Sequence, residues 1–119
     1  MKNAINDNFT KHDKYNNMEK VAEFIRNNYN KNHSAEYYAE MCNLNKYYFI
    51  KLFGEYTGVS PQHFRTQVRI EKAKELLKTT SMHNGEIAEL VGYSSSYYFS
   101  RIFKTYTGVS PNDFRKNSK

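Results

Sequence analysis

The sequence predicts an all-α protein of about seven helices, with two helix-turn-helix subdomains joined by a long central helix. Two observations lead to this prediction. Apolar residues recur three and four positions apart along most of the 119 residues, and the strict alternation of a half-buried strand is absent. In addition, residues 47–65 and 97–115 are identical at 12 of 19 positions, at an offset of 50. We therefore expect two similar structural units within one chain.

The N-terminal part is predicted to contain a linker and then one helix. Residues 1–17 include five asparagines and show no apolar periodicity, so we interpret them as a disordered arm or linker. A first helix near residues 18–31 is predicted to place four apolar side chains on one face, namely Met18, Val21, Ile25 and Tyr29.

The first copy is predicted to hold two helices, each with a polar cap. Ser34 is placed to cap a short helix, and Asn45 to cap a longer one that Gly58 ends. In the short helix the residues predicted to point inward are Tyr38, Ala39 and Cys42. In the longer helix they follow an i, i+3, i+4, i+7 spacing, at Phe49, Leu52, Phe53 and Tyr56.

A long helix is predicted to connect the two copies. Ser60 and Pro61 supply an N-cap and a first-turn proline, and the helix extends to about Lys78. A short helix near residues 85–91 follows, and Gly92 ends it.

The second longer helix repeats the pattern of the first. Ser94 is predicted to cap it, Gly108 ends it, and Ser110 with Pro111 starts a last short helix. Its predicted inward residues are Phe99, Ile102, Phe103 and Tyr106. The predicted organisation is therefore an arm (1–17), a first subdomain (18–60), a linking helix (61–79) and a second subdomain (80–119).

The composition excludes several classes of protein. No run approaches the roughly 20 apolar residues that cross a bilayer, and the N-terminus lacks the apolar segment of a secretory signal. The single cysteine, Cys42, excludes an internal disulfide, and four histidines with one cysteine form no zinc-finger pattern. We therefore expect a cytoplasmic protein without a transmembrane segment, metal or cofactor.

The positive charge is concentrated in two parts of the chain. The formal net charge is +6, and residues 45–69 carry +3 while residues 91–119 carry +4. Each of these segments contains one copy of the repeat. The net charge favours an anionic partner, either nucleic acid or a membrane surface, and its distribution indicates two separate electrostatic surfaces.

The faces opposite the predicted apolar stripes differ between the copies. They consist of Tyr47, Ile50, Lys51 and Gly54 in the first copy and of Tyr97, Ser100, Arg101 and Lys104 in the second. Arg101 can donate two hydrogen bonds to guanine, Lys51 can do so less rigidly, and Ile50 suits a thymine methyl. The tyrosines suit a phosphate or a base edge, or they simply cover the turn. Free drift of solvent-facing residues would also produce the differences, but the retained aromatic and cation favour two surfaces that read different DNA.

A long match points to a known family. Its residues are Arg69–Ala73, Leu76-Leu77, Ile87-Ala88, Val91–Ser94, Tyr97–Lys104, Gly108, Pro111 and Phe114-Arg115. From about residue 18 to 116 the chain resembles the DNA-binding domain of the AraC/XylS family of bacterial transcription regulators. The resemblance implies seven helices, sequence-specific binding of double-stranded DNA, and two recognition helices in successive major grooves.

The resemblance also implies site residues and partners. It places base-reading positions at Lys46, Tyr47, Ile50, Lys51, Ser96, Tyr97, Ser100 and Arg101. Together with residues at the helix starts and one further lysine, the DNA-binding set is Asn45, Lys46, Tyr47, Ile50, Lys51, Ser94, Ser95, Ser96, Tyr97, Ser100, Arg101 and Lys104. The implied partners are RNA polymerase and, unless the chain is a short stand-alone regulator, an N-terminal sensing or receiver domain. The resemblance implies no membrane partner.

The length of the linking helix agrees with this interpretation. From Pro61 to Lys78 it spans about 27 Å, which with the adjoining turns can place the recognition helices about one DNA turn, roughly 34 Å, apart. Because the copies are tandem, we expect an asymmetric site with two different sub-sites.

The chain departs from the family pattern at three positions. Asn84 and Gly85 stand where the family usually has a branched apolar residue and a better helix former, so we expect a frayed start or a cap at Asn84. Gly54 stands where the second copy has Lys104, and it lowers helix propensity by about 1 kcal/mol. The first unit is therefore expected to bind more weakly.

Two other functions remain as alternatives. Some alkyl-repair enzymes resemble this family and use a nucleophilic cysteine, but Cys42 aligns with the apolar Val91, so we expect a small buried side chain and no enzyme activity. A protein-interaction module is the second alternative, and it predicts no salt-sensitive DNA binding.

Overall fold

The computed structural model describes residues 11–118, which form seven α-helices and no strand. In chain order they are α1 (Lys11–Asn27), α2 (Ala35–Met41), α3 (Lys46–Thr57), α4 (Pro61–Thr79), α5 (Asn84–Val91), α6 (Ser96–Thr107) and α7 (Pro111–Asn117). The prediction of an all-α fold with about seven helices is confirmed.

The helices fall into two compact units. The first unit contains α1, α2, α3 and the start of α4 up to Phe64. The second contains the short segment Asn28–Asn32, α4 from Arg65 onward, and α5 to α7. Because α4 is continuous, the chain passes from Phe64 to Arg65 within a helix.

Three helices build the core of the first unit. Its buried residues are Met18, Val21, Ala22, Ile25, Tyr38, Ala39, Phe49, Leu52 and Phe53. This confirms the predicted apolar faces except at three positions, one of which is Tyr29, described below. Cys42 is only half-buried, because it lies just beyond the end of α2. Tyr56 is 37% exposed and lies at the edge of the core, where its hydroxyl donates a 2.6 Å hydrogen bond to the Glu19 carboxylate.

Helix α1 begins earlier than predicted. The prediction of a disordered arm is wrong for residues 11–17, which are helical, and residues 1–10 lie outside the described part of the chain. The Tyr15 and Tyr56 ring centres are 5.3 Å apart, so α1 contacts the core one turn before Met18. Tyr15 is three residues before Met18 and extends the same stripe.

Helix α1 also ends earlier than predicted, and Tyr29 packs against the core of the second unit instead. Arg69 holds this segment. Its guanidinium, in a residue only 4% exposed, donates to the carbonyl oxygens of Tyr29 (2.6 Å) and Lys31 (3.2 Å) and to Oδ1 of Asn32 (2.8 Å). A buried cation is costly without such acceptors, so these contacts fix the path of the chain.

The position of this guanidinium explains why residue 92 is a glycine. Gly92 ends α5 with a backbone φ of +112°, a conformation that residues with a side chain rarely adopt. A Cβ atom at this position would lie 2.7 Å from a guanidinium nitrogen of Arg69. Any larger residue would therefore displace the buried arginine.

The core of the second unit repeats the ring packing of the first. Its buried residues are Ile70, Ala73, Leu77, Ile87, Ala88, Val91, Tyr93, Phe99 and Phe103. Ile102 and Tyr106, which were predicted to be inward, are half-buried against this core. In the first unit the rings of Phe49, Phe53 and Phe64 follow one another at 5.6 and 5.5 Å. In the second, Phe99, Phe103 and Phe114 follow at 5.8 and 5.5 Å.

The start of α5 differs from the prediction. Asn84 is the first helical residue and does not cap the helix. The backbone N–H of His83 donates a 2.8 Å hydrogen bond to the Glu86 carboxylate, and this closes the first turn. The Asn84 amide instead donates to Oδ1 of Asn112 at 3.0 Å.

Candidate nucleic-acid interface

Helices α3 and α6 start and end in the same way. The Asn45 side chain accepts a hydrogen bond from the backbone N–H of Tyr48 at 2.9 Å, and the Ser95 hydroxyl accepts one from Tyr98 at 3.1 Å. The cap of α6 is thus Ser95, and the prediction of Ser94 is wrong by one residue. This shift makes the two helices correspond residue for residue from their first turn.

The second residue of each helix projects away from its core. Tyr47 is 77% exposed and Tyr97 is 72% exposed, although both are large aromatic side chains. The helix faces behind them are fixed by buried rings, Phe49 and Phe53 in α3 and Phe99 in α6. Each unit therefore displays an aromatic ring on a rigid and capped helix.

The predicted residues of the first unit surround Tyr47. Lys51 is exposed, while Lys46 and Ile50 are half-buried, and Ile50 packs against the core with part of its side chain. The Lys46 ammonium lies 5.3 Å from the centre of the Tyr47 ring.

Both lysines of this surface form ion pairs. Lys51 Nζ lies 2.8 Å from Oε2 of Glu55, one turn further along α3, and Lys46 Nζ lies 3.2 Å from Oε2 of Glu36 on α2. The hydrogen bond to Glu55 raises the pKa of Lys51. A hydrogen bond from its own backbone and the contact with Lys46 lower the pKa of Glu36.

The predicted residues of the second unit form a more open surface. Five of them are exposed beside Tyr97: Ser94, Ser95, Ser96, Arg101 and Lys104. Ser100 is half-buried. The Arg101 guanidinium lies 5.9 Å from the centre of the Tyr97 ring. Between residues 14 and 118, no carboxylate forms an ion pair with Arg101 or Lys104.

Sequence reasoning did not include Glu36 and Glu55 in the site. The signal for Glu55 was present, because a glutamate four residues from a lysine on a helix forms an ion pair. Glu36 is on another helix and ten residues from Lys46, and only the fold brings the two together.

Three further features of the described residues concern a nucleophilic thiol, a metal site and a membrane span. The half-buried Cys42 thiol faces the backbone oxygen of Tyr38 at 3.9 Å, and burial raises its pKa, which disfavours the nucleophilic thiolate. Residues 11–118 contain no group of three side chains that could hold a metal ion. Within the same range, no helix combines the length and hydropathy that a bilayer crossing requires.

Comparison with known proteins agrees with this geometry. Residues 38–117, about two thirds of the chain, match the family model described as a helix-turn-helix domain. The chain belongs to the AraC family of transcription regulators. The resemblance found in the sequence is thereby confirmed.

Three similar proteins illustrate the match. The C-terminal domain of AraT, a response regulator from Geobacillus stearothermophilus, is 35% identical with a TM-score of 0.80, over 85% of this chain and 84% of that one. The DNA-binding domain of AdpA, in complex with a target DNA, shares the fold with a TM-score of 0.79 at 22% identity, over 84% of this chain and 90% of that one. The lactose operon transcription activator of Staphylococcus xylosus is 34% identical over 73 residues, which are 61% of this chain and 26% of that protein. The chain thus spans about a quarter of the length of the curated relatives it matches.

Proposed function

We propose that this chain binds double-stranded DNA in a sequence-specific manner, with α3 and α6 as recognition helices in successive major grooves. The supporting observation is the matched pair of exposed tyrosines, Tyr47 and Tyr97, each followed one turn later by a cation, Lys51 or Arg101. Major-groove recognition requires donors and planar groups on an exposed face of a rigid helix, and both helices supply them.

The DNA-binding set divides by chemistry. Arg101 and Lys51 donate to guanine, and the exposed part of Ile50 contacts a thymine methyl. Lys46 lies at a base-reading position next to Tyr47, and Lys104 contacts a phosphate, since an ammonium is a point charge that suits a phosphate oxygen. The small polar residues supply hydrogen bonds to the backbone or to base edges, at Asn45, Ser94, Ser95, Ser96 and Ser100.

We further propose that the chain is the DNA-binding part of a transcription regulator in the bacterial cytoplasm and has no enzyme activity. The AraT relative is the C-terminal domain of a response regulator, and the lactose relative is an operon activator. These relatives support a receiver or sensing domain and RNA polymerase as partners.

The proposal is tested by selecting bound duplexes from a random DNA pool. We expect an asymmetric site with two different sub-sites about 10 base pairs apart. Inserting about five base pairs between them rotates one sub-site to the far side of the duplex, so affinity should fall and the salt dependence should become shallower. If no duplex is enriched, the proposed function is wrong. If the insertion changes neither affinity nor salt dependence, the two-groove arrangement is wrong.

A further inference from the structure

Helix α3 carries a charge pair that α6 lacks. Lys51 Nζ and Oε2 of Glu55 lie 2.8 Å apart, and their side chains are 68% and 43% exposed. Glu55 corresponds to Thr105 in the second unit, whose hydroxyl donates a 2.9 Å hydrogen bond to the backbone oxygen of Arg101. The first recognition helix thus offers a donor and an acceptor side by side, whereas the second has no carboxylate beside its arginine.

The pair matches the major-groove edge of one base pair. A G·C pair presents the guanine O6 acceptor next to the cytosine N4 donor, and these atoms are about 2.9 Å apart because they share a hydrogen bond. An ammonium and a carboxylate 2.8 Å apart can face these two groups at the same time. The lysine donates to guanine, and the glutamate accepts from the cytosine amino group.

An A·T pair also presents an adjacent donor and acceptor, at adenine N6 and thymine O4, but its flanking groups fit less well. In a G·C pair the second guanine acceptor, N7, lies on the side of the lysine. In an A·T pair the N7 acceptor would lie beside the carboxylate, and the thymine methyl beside the ammonium. In an A·T pair the carboxylate is therefore repelled by N7, and the ammonium is desolvated by the methyl group. Both effects favour G·C.

We propose that Glu55 is a specificity-determining residue of the first recognition helix and that, together with Lys51, it reads one G·C pair. This inference rests on the proposed function, since it requires α3 to lie in a major groove. It adds a residue outside the DNA-binding set and assigns one base pair of the first sub-site.

The test compares base preferences of the full chain and three variants. Glu55→Thr introduces the residue of the second helix, and Glu55→Gln keeps the side-chain length without the charge. Glu75→Thr is the control, because it removes an exposed glutamate that also pairs with a lysine in a helix, but on α4. Affinities are measured for the selected duplex and for every single base-pair substitution in both sub-sites, after circular dichroism has verified the fold of each variant.

We expect the parent chain to prefer G·C about tenfold at one position of the first sub-site. Glu55→Thr should reduce this preference to threefold or less, as roughly half of the contact is lost. Glu55→Gln should lower it at the same position, and neither variant should alter preferences in the second sub-site. Glu75→Thr should leave every preference unchanged.

Two results would overturn the inference while leaving the proposed function intact. One is an unchanged base profile in both Glu55 variants. The other is a change in the affinity of the Glu55 variants that is equal for all DNA sequences. Such a change would mean that Glu55 acts only through net charge, and Glu75→Thr should then show the same effect. Failure of the parent chain to select any duplex would remove the proposed function and this inference with it.

Discussion

Helices α3 and α6 have similar internal contacts and different outer surfaces. The hydroxyls of Thr57 and Thr107 each donate a 2.8 Å hydrogen bond to the carbonyl of a core phenylalanine, and Gly58 and Gly108 both end their helices at φ of +89°. On the outside, both lysines of α3 are paired with carboxylates, whereas the exposed cations of α6 form no ion pair within the described residues.

This difference separates folding from recognition. Residues that face the core are constrained by close packing, so both copies keep the same rings at nearly the same spacing. Residues that face solvent have no such constraint, and charge on this side decides what each helix can bind. The exposed cations of α6 form no ion pair within the described residues, so the positive charge of this surface is not partly neutralised and we expect it to contribute more to DNA affinity.

The largest expected effect tests the equality of the two cores. Phe53 and Phe103 are fully buried and occupy the same place in their units. Phe53→Ala and Phe103→Ala should each lower the free energy of unfolding by about 3–5 kcal/mol, because each leaves a cavity in a closely packed core. Urea unfolding measures both losses. Values for the two variants that differ by more than a factor of two would show that the units are not equivalent in stability.

The next effect tests the inequality of the two surfaces. Lys51→Ala and Arg101→Ala should preserve the fold, since both side chains are exposed, and each should weaken specific DNA binding by about 1–3 kcal/mol. The loss should be larger for Arg101, because its guanidinium can donate two hydrogen bonds to guanine, whereas the Lys51 ammonium is a less rigid donor. Affinity for the selected duplex is measured at one salt concentration. Equal losses, or a larger loss for Lys51, would contradict the expected difference between the two surfaces.

The sequence predicted what depends on local patterns. The apolar stripes follow from spacing, and the ends of helices at glycine and their starts at proline follow from residue type. Together they predict the fold class and the buried faces of α3 and α6. It failed at the first helix, where Tyr15 and Tyr29 belong to different packing surfaces that a single period does not distinguish. It also missed the contact between Glu36 and Lys46, because two helices must meet before these charges do.

A smaller effect concerns the glycine that distinguishes α3 from α6. A Cβ atom at Gly54 would meet only the Val59 carbonyl oxygen at 4.0 Å, so there is room for a side chain. Gly54→Ala should therefore stabilise the chain by about 0.5–1 kcal/mol through helix propensity. The matched control is Gly58→Ala, which should destabilise it by about 1 kcal/mol because φ is +89° there. Thermal unfolding measures both, and a loss of stability in Gly54→Ala would mean that the glycine has a packing role.

The smallest expected effect is a pH dependence of the stability, and it originates in the first unit. The Tyr56 hydroxyl donates to the Glu19 carboxylate, which also pairs with Arg26 at 3.2 Å. These hydrogen bonds, first that of Tyr56 and then that of Arg26, lower the pKa of Glu19 in the folded chain. A carboxyl group whose pKa is lower in the folded state stabilises the fold above its ordinary pKa, and this stability is lost as the pH falls through the lowered value.

Tyr56→Phe removes the stronger of these hydrogen bonds and keeps the ring that packs against Tyr15. At pH 7 we expect the variant to be less stable than the parent by about 0.2–1 kcal/mol, a small value because the Glu19 side chain is 43% exposed. Near pH 3 the difference should shrink, since protonation of Glu19 weakens the same hydrogen bond in the parent. The midpoints of urea unfolding of the parent and of Tyr56→Phe, measured at both pH values, test this. Glu19→Gln is the control, and its midpoint should differ little from that of the parent at low pH. A difference between Tyr56→Phe and the parent that is equal at pH 3 and pH 7 would mean that the hydroxyl acts independently of the carboxylate charge.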